Sequence, residues 1–189
     1  MVWKNLHIYV EKKSKSKFSQ YFLSIVAFIE SIFFPIPPDL ILIPIVYFNP
    51  NKFLVTALNC TIFSVIGGAF GYFIGYFIFE AVQSYFDMSK QTEFINFYND
   101  WGIFAVFLGG FTPIPYKIIA LTSGYSQFNF IYFIFLSMLS RGLRFFIIAF
   151  IIKQFGDIGM QILKRNKLLI FVLIPIGIVF LIYLLFYHD

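Results

Sequence analysis

Residues 53–79 contain no charged side chain, and the charges that bound them are Lys52 and Glu80. A bilayer core about 30 Å thick requires roughly 20 helical residues, so this run is long enough to span a membrane. The chain of 189 residues is 60% hydrophobic and 12% charged, whereas soluble domains are about 45–50% apolar and about 25% charged. We therefore predict an integral membrane protein. The net charge of +5 lies in short flanks beside apolar segments, which indicates topology and not nucleic-acid binding.

The apolar runs also define the domain organisation. The predicted transmembrane helices are residues 53–79, 128–152 and 168–187. A basic arm, residues 1–17, precedes them, and residues 18–187 form a single membrane domain. Its apolar start contains a charge and several prolines, so we interpret the arm as retained and not as part of a cleaved signal peptide.

Two further apolar stretches are interrupted by prolines and resemble each other. Pro35-Ile36-Pro37-Pro38-Asp39-Leu40-Ile41 aligns without a gap with Pro113-Ile114-Pro115-Tyr116-Lys117-Ile118-Ile119, and four of the seven positions are identical. Each copy precedes a long apolar run. Chance matching of Pro and Ile is the alternative, but paired Pro-interrupted segments are typical of a transporter binding site.

Proline chemistry predicts the shape of these stretches. Proline lacks an N–H group and clashes with the preceding helical turn, so each motif should end a helix and leave carbonyl groups without partners. Such backbone must be covered by protein or line a wet cavity. We therefore predict re-entrant hairpins at residues 33–48 and 109–124, shaped by Pro35, Pro37, Pro38, Pro113 and Pro115. The predicted fold is an all-α inverted repeat of two hairpins, each followed by a transmembrane helix, plus a C-terminal transmembrane helix.

The Lys and Arg residues of the short loops predict the orientation. Residues 1–17 and 153–167 are basic, and residues 80–101 are acidic. The positive-inside rule places the first two segments in the cytoplasm, with the N-terminus, and the third outside.

A charged residue within an apolar segment costs free energy in the membrane, so each one is a candidate for a functional role. The chain has five such residues: Glu30, Asp39, Lys117, Arg141 and Arg144. They either line a cavity or anchor the helices at the membrane surface. Arg141 and Arg144 share one helical face because they are three residues apart. Asp39 and Lys117 occupy equivalent positions in the two copies, so we expect their hairpin tips to approach each other.

Gly67, Gly71 and Gly75 recur every four residues and predict close helix packing. Several enzyme classes are excluded. His7 and His188 lie at the two ends of the sequence, so no intramembrane Ser–His pair is expected, and no Gly-rich phosphate loop is present. With Cys60 as its single cysteine, the chain offers no Cys-based metal site. We predict neither an enzyme nor a cofactor.

These motifs resemble the signatures of the DedA membrane-protein family. The first signature resembles residues 30–44 with Gly67 to Tyr76, and the second resembles residues 109–124 with residues 140–145. The Pro-Ile-Pro-Tyr-Lys form is similar to the YqaA-like branch, and the resemblance covers about residues 20–155. Many members carry two Arg in the second signature, where this chain has Lys117.

The resemblance implies a bacterial inner-membrane protein related to VTT-domain lipid scramblases. Glu30 and Asp39 match the family's functional acidic positions, so we expect them to be proton-sensitive carboxylates in transport. Lys117, Arg141 and Arg144 would hold the phosphate of an anionic lipid, either polyprenyl phosphate or phospholipid. The sequence leaves open a small-ion or solute/proton antiporter, a non-transporting membrane scaffold, and a homo-oligomeric state.

Overall fold

The computed structural model describes residues 12–16, 18–33, 36–82, 88–112 and 115–165. Within these residues the protein is all-helical and contains no strand, which confirms the predicted all-α class. The predicted helix 168–187 lies outside the described residues. After a single helical turn at residues 12–15, the helices are α1 (Phe18–Ile32), α2 (Asp39–Phe48), α3 (Phe53–Val82), α4 (Met88–Phe111), α5 (Tyr116–Tyr125) and α6 (Phe130–Arg165).

Two of these helices are long and apolar enough to cross a membrane, namely Pro50–Ala81 and Phe130–Gly156. They contain most of the predicted spans 53–79 and 128–152. The first begins with a short 3-10 turn, Pro50–Lys52, that leads directly into α3. In α6 the helical geometry is interrupted at Gly156, whose φ of 49° is in the left-handed region that favours glycine.

Both proline motifs interrupt the helical chain. The first break separates α1 from α2, and Pro38 is the N-cap residue of α2. The second separates α4 from α5, and Pro115 is the N-cap residue of α5. Pro35 and Pro113 lie outside the described residues. A proline is tolerated at a helix start because the first N–H groups have no partner within the helix.

The helices on either side of each break differ from the expected boundaries of the two hairpins. Residues 33–48 and 109–124 were each expected to form one hairpin. In the structure, residues 33–48 contain the first break and the single helix α2, while 109–124 contain the last residues of α4, the second break and most of α5. The helices that precede the breaks, α1 and α4, would be the other arms. Each short helix has 10 residues and is followed closely by a long one, so the order of elements repeats.

The first three helices, α1–α3, and the last three, α4–α6, form two halves that pack crosswise. The first short helix, α2, packs against α6, and the second short helix, α5, packs against α3. Within each half, α1 packs against α3 and α4 packs against α6. One buried apolar cluster includes Leu42 of α2 and Ile148 of α6, and another includes Tyr72 of α3 and Ala120 of α5. Each half therefore depends on the other for its core.

The glycines of α3 allow these close approaches. A Cβ atom at Gly67 would overlap the carbonyl oxygen of Phe28 in α1, and one at Gly75 would overlap the carbonyl oxygen of Leu121 in α5. A Cβ atom at Gly71 would lie 3.1 Å from the Cβ of Ala120. The glycine row therefore contacts both α1 and α5.

Candidate functional site

Arg144 connects the two breaks. Its Nη2 lies 2.5 Å from Oδ2 of Asp39, the first residue of α2. Its Nη1 donates a hydrogen bond of 2.9 Å to the carbonyl oxygen of Thr112, directly after α4. Both contacts suit the helix dipoles, because an anion is stabilised at a helix N-terminus and a cation at a helix C-terminus.

Arg141 forms a second ion pair one turn away on α6. Its Nη2 donates a hydrogen bond of 2.9 Å to Oε2 of Glu30, which lies near the end of α1. The guanidinium carbon is 4.5 Å from the ring centre of Tyr116 and 5.0 Å from that of Phe145. Such cation–π contacts contribute about 2 kcal/mol when the cation is desolvated, so Tyr116 helps to hold Arg141 in place.

Asp39 and Arg141 are buried, and Glu30 and Arg144 are partly buried. The exposed fractions of the side chains are 2% for Arg141 and 16% for Glu30, and 11% for Arg144 and 6% for Asp39. The desolvation cost of such pairs can exceed their mutual attraction, so a buried ion pair is weak evidence for a role in stability alone. Removing one partner leaves an uncompensated charge, which costs about 3–5 kcal/mol.

One of the two carboxylate oxygens of Asp39 has no hydrogen-bond partner among the described residues. Oδ2 contacts Arg144, but Oδ1 is buried and has no hydrogen-bond partner among the described residues. A buried acceptor without a partner costs free energy. Oδ1 can therefore accept a hydrogen bond from a donor that enters the site.

Lys117 does not join the ion pairs. Its Nζ donates a hydrogen bond of 3.1 Å to the carbonyl oxygen of Phe33, just after α1. Lys117 and Asp39 therefore do not form a charge pair with each other, because each has another partner, although Arg144 does bring the two breaks together. Lys117 lines a shallow pocket of about 360 Å³ together with Ile32, Phe33, Ile118, Leu121 and Thr122.

Of the predicted site residues, four form the two ion pairs: Glu30, Asp39, Arg141 and Arg144. Lys117 lies outside these pairs. Two contributors were not predicted from the sequence. Thr112 contributes only a backbone carbonyl, which no side-chain pattern can reveal. Tyr116 is 1% exposed, and its hydroxyl occupies the space that a side chain at Gly68 would fill; its place in the second proline motif was the available signal.

The donor set does not indicate a resident metal. Among the described residues, no group of three or more His, Cys, Asp or Glu side chains could hold a metal ion. The two carboxylates are instead each occupied by an arginine. Such an arrangement can exchange a carboxylate partner of arginine for a phosphate, since guanidinium groups bind both in the same geometry.

Comparison with known proteins identifies relatives of this chain. A model of the VTT domain matches residues 34–154, which include both breaks, Asp39 and the two arginines, whereas Glu30 precedes the match. An uncharacterized protein of Haemophilus influenzae is 39% identical over 140 residues, which cover 72% of this chain and 73% of that protein. An uncharacterized protein of Histophilus somni is 38% identical over 137 residues, covering 70% and 72%. One from Methanocaldococcus jannaschii is 28% identical over 133 residues, covering 69% and 82%. No solved structure matches the chain.

Proposed function

This chain belongs to the VTT-domain family, the DedA family of membrane proteins, and from that premise we propose that it is a transporter or flippase for an anionic lipid in the inner membrane. The substrate class is a lipid with a phosphate headgroup, either polyprenyl phosphate or phospholipid. Glu30 and Asp39 act as proton-sensitive carboxylates, and Arg141 and Arg144 bind the phosphate.

The observation that carries this proposal is the pair of buried ion pairs that tie both breaks to α6. In the empty state the carboxylates neutralise the arginines. A proton on Glu30 or Asp39 would remove the partner charge, and the guanidinium would then favour an incoming phosphate. Proton binding and phosphate binding are coupled in this way without any nucleotide hydrolysis.

Lys117 supplies a further cation at the edge of the same region. Its Nζ contacts a backbone carbonyl, a partner that a phosphate oxygen can replace. We propose that Lys117 first attracts the headgroup and that the arginines then bind it more deeply.

An inverted arrangement of the two halves fits this mechanism. Asn49 Nδ2 donates a hydrogen bond of 3.2 Å to the carbonyl oxygen of Ser14, and Lys153 Nζ lies 3.9 Å from the ring centre of Phe53. The segments predicted to be cytoplasmic therefore meet at one end of α3. The acidic segment, residues 80–101, begins at the other end of this 30-residue helix, about 45 Å away. We propose that the breaks are the tips of re-entrant hairpins that enter from opposite faces.

The test is lipid movement in vesicles that contain the purified protein. Fluorescent phospholipid and fluorescent polyprenyl phosphate are added, and a membrane-impermeant quencher reports the fraction exposed outside. We expect wild-type protein to expose label from the inner leaflet, and Glu30→Gln and Asp39→Asn to be slower. Glu93→Gln is the matched control, because Glu93 is an exposed carboxylate away from the ion pairs.

Two other outcomes would contradict the proposal. If neither lipid moves but the protein discharges a pH gradient, the protein is a small-ion or solute/proton antiporter that uses the same site. If the vesicles show neither activity, the protein is a scaffold.

A further inference from the structure

A polar seam runs along the contact between α1 and α3. Its outer part consists of Gln20, Ser24, Thr56 and Asn59. Gln20 Nε2 donates a hydrogen bond of 2.8 Å to Thr56 Oγ1, and Ser24 Oγ donates one of 3.0 Å to Asn59 Oδ1. Asn59 Nδ2 in turn donates to the backbone and side-chain oxygens of Gln20.

The inner part of the seam ends at the ion pairs. The hydroxyls of Ser31 and Ser64 are 2.8 Å apart, and Ser31 Oγ is 3.4 Å from Oε2 of Glu30. The same Oε2 accepts the hydrogen bond from Arg141. The outer and inner parts are separated by about two helical turns of α1, from Ser24 to Ser31, and the inner part contacts the carboxylate of the site.

A groove of about 650 Å³ opens along the outer seam. Its polar lining includes Gln20, Ser24, Asn49, Lys52 and Asn59, and its α3 wall extends from Lys52 to Phe63. At about 1.5 Å per residue this wall is about 16 Å long, which is half of a hydrocarbon core. Beyond Asn59 the wall of the groove consists of the apolar residues Ile62 and Phe63, and Ser64, the next residue of α3, is fully buried.

Polar side chains between membrane helices commonly act only as packing contacts. Two features of this seam go beyond packing. The groove has room for several water molecules, each of which occupies about 30 Å³ in the liquid, and it has polar partners for them. In addition, Glu30 keeps 16% of its side chain exposed, whereas its partner Arg141 keeps 2%, so the carboxylate is the more reachable member of the pair.

We propose that the groove and the polar seam form a hydrated route by which protons from the Lys52 end reach Glu30. The route rests on the proposed function, for which it supplies the proton to the site. In the proposed orientation the route opens to the cytoplasm, because Asn49 at its mouth binds the carbonyl oxygen of Ser14.

The transfer requires no co-reactant. A hydronium ion that passes from the inner end of the groove to Ser64 gives its proton to the hydroxyl of Ser64, which passes its own proton to Ser31. The hydroxyl of Ser31 donates to the carbonyl oxygen of Ala27, and it turns from there to pass its own proton to Glu30. Each hydroxyl is restored, so Glu30 alone changes its protonation state.

Several charged or titratable groups surround Glu30 and respond to this proton. Arg141 of α6 is its ion-pair partner, and Arg144, also of α6, interacts with it electrostatically. Cys60 of α3 and Tyr116 of α5 also lie within its electrostatic range. Asp39 of α2 neutralises Arg144. Protonation of Glu30 therefore leaves Arg141 as the cation without a paired carboxylate.

The test measures water access directly and needs no transport assay. Single cysteines are introduced at Ser24, Ser31 and Ser64 in a Cys60→Ser background, and the rate of reaction with silver ion is measured in vesicles. Silver ion is small, cationic and water-borne, so it reacts only where water penetrates. Leu23→Cys is the dry control, because Leu23 is fully buried on the same helix, and Ile25→Cys is the exposed apolar control.

We expect Ser24→Cys, Ser31→Cys and Ser64→Cys to react at least about tenfold faster than Leu23→Cys, because an ionic reagent is strongly excluded from apolar surroundings. Adding Asn59→Leu, which narrows the groove, should slow Ser31→Cys severalfold. The Ser64→Cys variant keeps the test decisive if Ser31→Cys does not fold.

Two results would overturn the route. One is reaction of both inner variants at the rate of Leu23→Cys, which would make the seam a dry packing contact. The other is reaction of Ser24→Cys in detergent but not in a bilayer, which would mean that lipid fills the groove. Fast reaction in a protein that moves no lipid would retain the route and refute only the proposed transport.

Discussion

Arg144 Nη1 donates a hydrogen bond of 2.9 Å to the carbonyl oxygen of Thr112, although 32 residues separate them. The same guanidinium contacts Asp39 through Nη2. One planar group thus holds the second break with one nitrogen and the first break with the other. A lysine has a single terminal nitrogen and cannot reproduce this forked contact.

The first prediction follows from that geometry. Arg144→Lys should retain the charge but lose one of the two contacts, whereas Arg144→Gln should leave Asp39 uncompensated at a cost of about 3–5 kcal/mol. We expect the thermal unfolding temperature in detergent to fall in the order wild type, Arg144→Lys, Arg144→Gln. The exposed Lys12→Gln is the control, and an unfolding temperature of Arg144→Gln equal to that of the control would show that the pair is not formed.

The second prediction concerns which charges are coupled. A double-mutant cycle with Asp39→Asn and Arg144→Gln should give an interaction energy of about 0.5–3 kcal/mol, because the two side chains are in contact. The matched cycle with Asp39→Asn and Lys117→Gln should be additive within about 0.5 kcal/mol, since Lys117 contacts Phe33 instead. Both cycles use the free energy of unfolding in denaturant. Strong coupling in the second cycle would restore the partnership that the sequence repeat suggested.

The positions of the long helices and of both breaks could be predicted from the sequence because they depend on local physics. A charge-free run predicts most of α3, and a long apolar run that contains two arginines predicts the first part of α6. Pro38 and Pro115 set where the short helices begin. The buried charges were also identifiable, since charges in apolar runs are rare. The outer arms of the breaks were not predicted because α1 and α4 carry no proline, and the first part of α4 lies in the acidic segment 80–101.

The partners of the charges could not be predicted, because they depend on crosswise packing. The repeat makes Asp39 and Lys117 equivalent, but equivalent positions need not be in contact. Because α2 packs against α6, the long side chain of Arg144 contacts Asp39, and Lys117 contacts Phe33 instead. Tyr116 was one of 12 tyrosines in the sequence, and only the packed structure distinguishes it by placing its ring under Arg141.

The third prediction tests the close packing of α3 and α5. Gly75→Ala should be destabilising by about 1–3 kcal/mol, because the new Cβ would overlap the backbone of Leu121 and backbone moves only at a cost. Gly142→Ala is a matched control within a helix, where the nearest atom would be 3.6 Å away. The control should be neutral or stabilising, since alanine is favoured over glycine in helices by about 1 kcal/mol. Equal unfolding temperatures for the two variants would contradict the close approach.

The fourth prediction concerns Tyr116 beneath Arg141. Tyr116→Phe retains the aromatic face at 4.5 Å from the guanidinium and should preserve most of the stability and the lipid movement. Tyr116→Leu removes the face and should cost about 2 kcal/mol or more, because the cation–π contact and the ring stack on Phe133 are both lost. Both variants are compared in the vesicle assay and by thermal unfolding. If Tyr116→Phe is as damaging as Tyr116→Leu, then the hydroxyl and not the ring is the important group.

The last prediction is the orientation of the chain. Three exposed residues can report the orientation of their segments: Lys12, Glu93 and Gln154. In a Cys60→Ser background, Lys12→Cys and Gln154→Cys should react with an impermeant maleimide only from the cytoplasmic side. Their segments meet at the Lys52 end of α3, where Asn49 binds the carbonyl oxygen of Ser14 and Lys153 covers Phe53. Glu93→Cys should react only from the outside, because its segment follows the far end of a helix about 45 Å long. Labelling of Glu93→Cys from the same side as Lys12→Cys would mean that α3 does not cross the membrane, and the inverted arrangement would then be wrong.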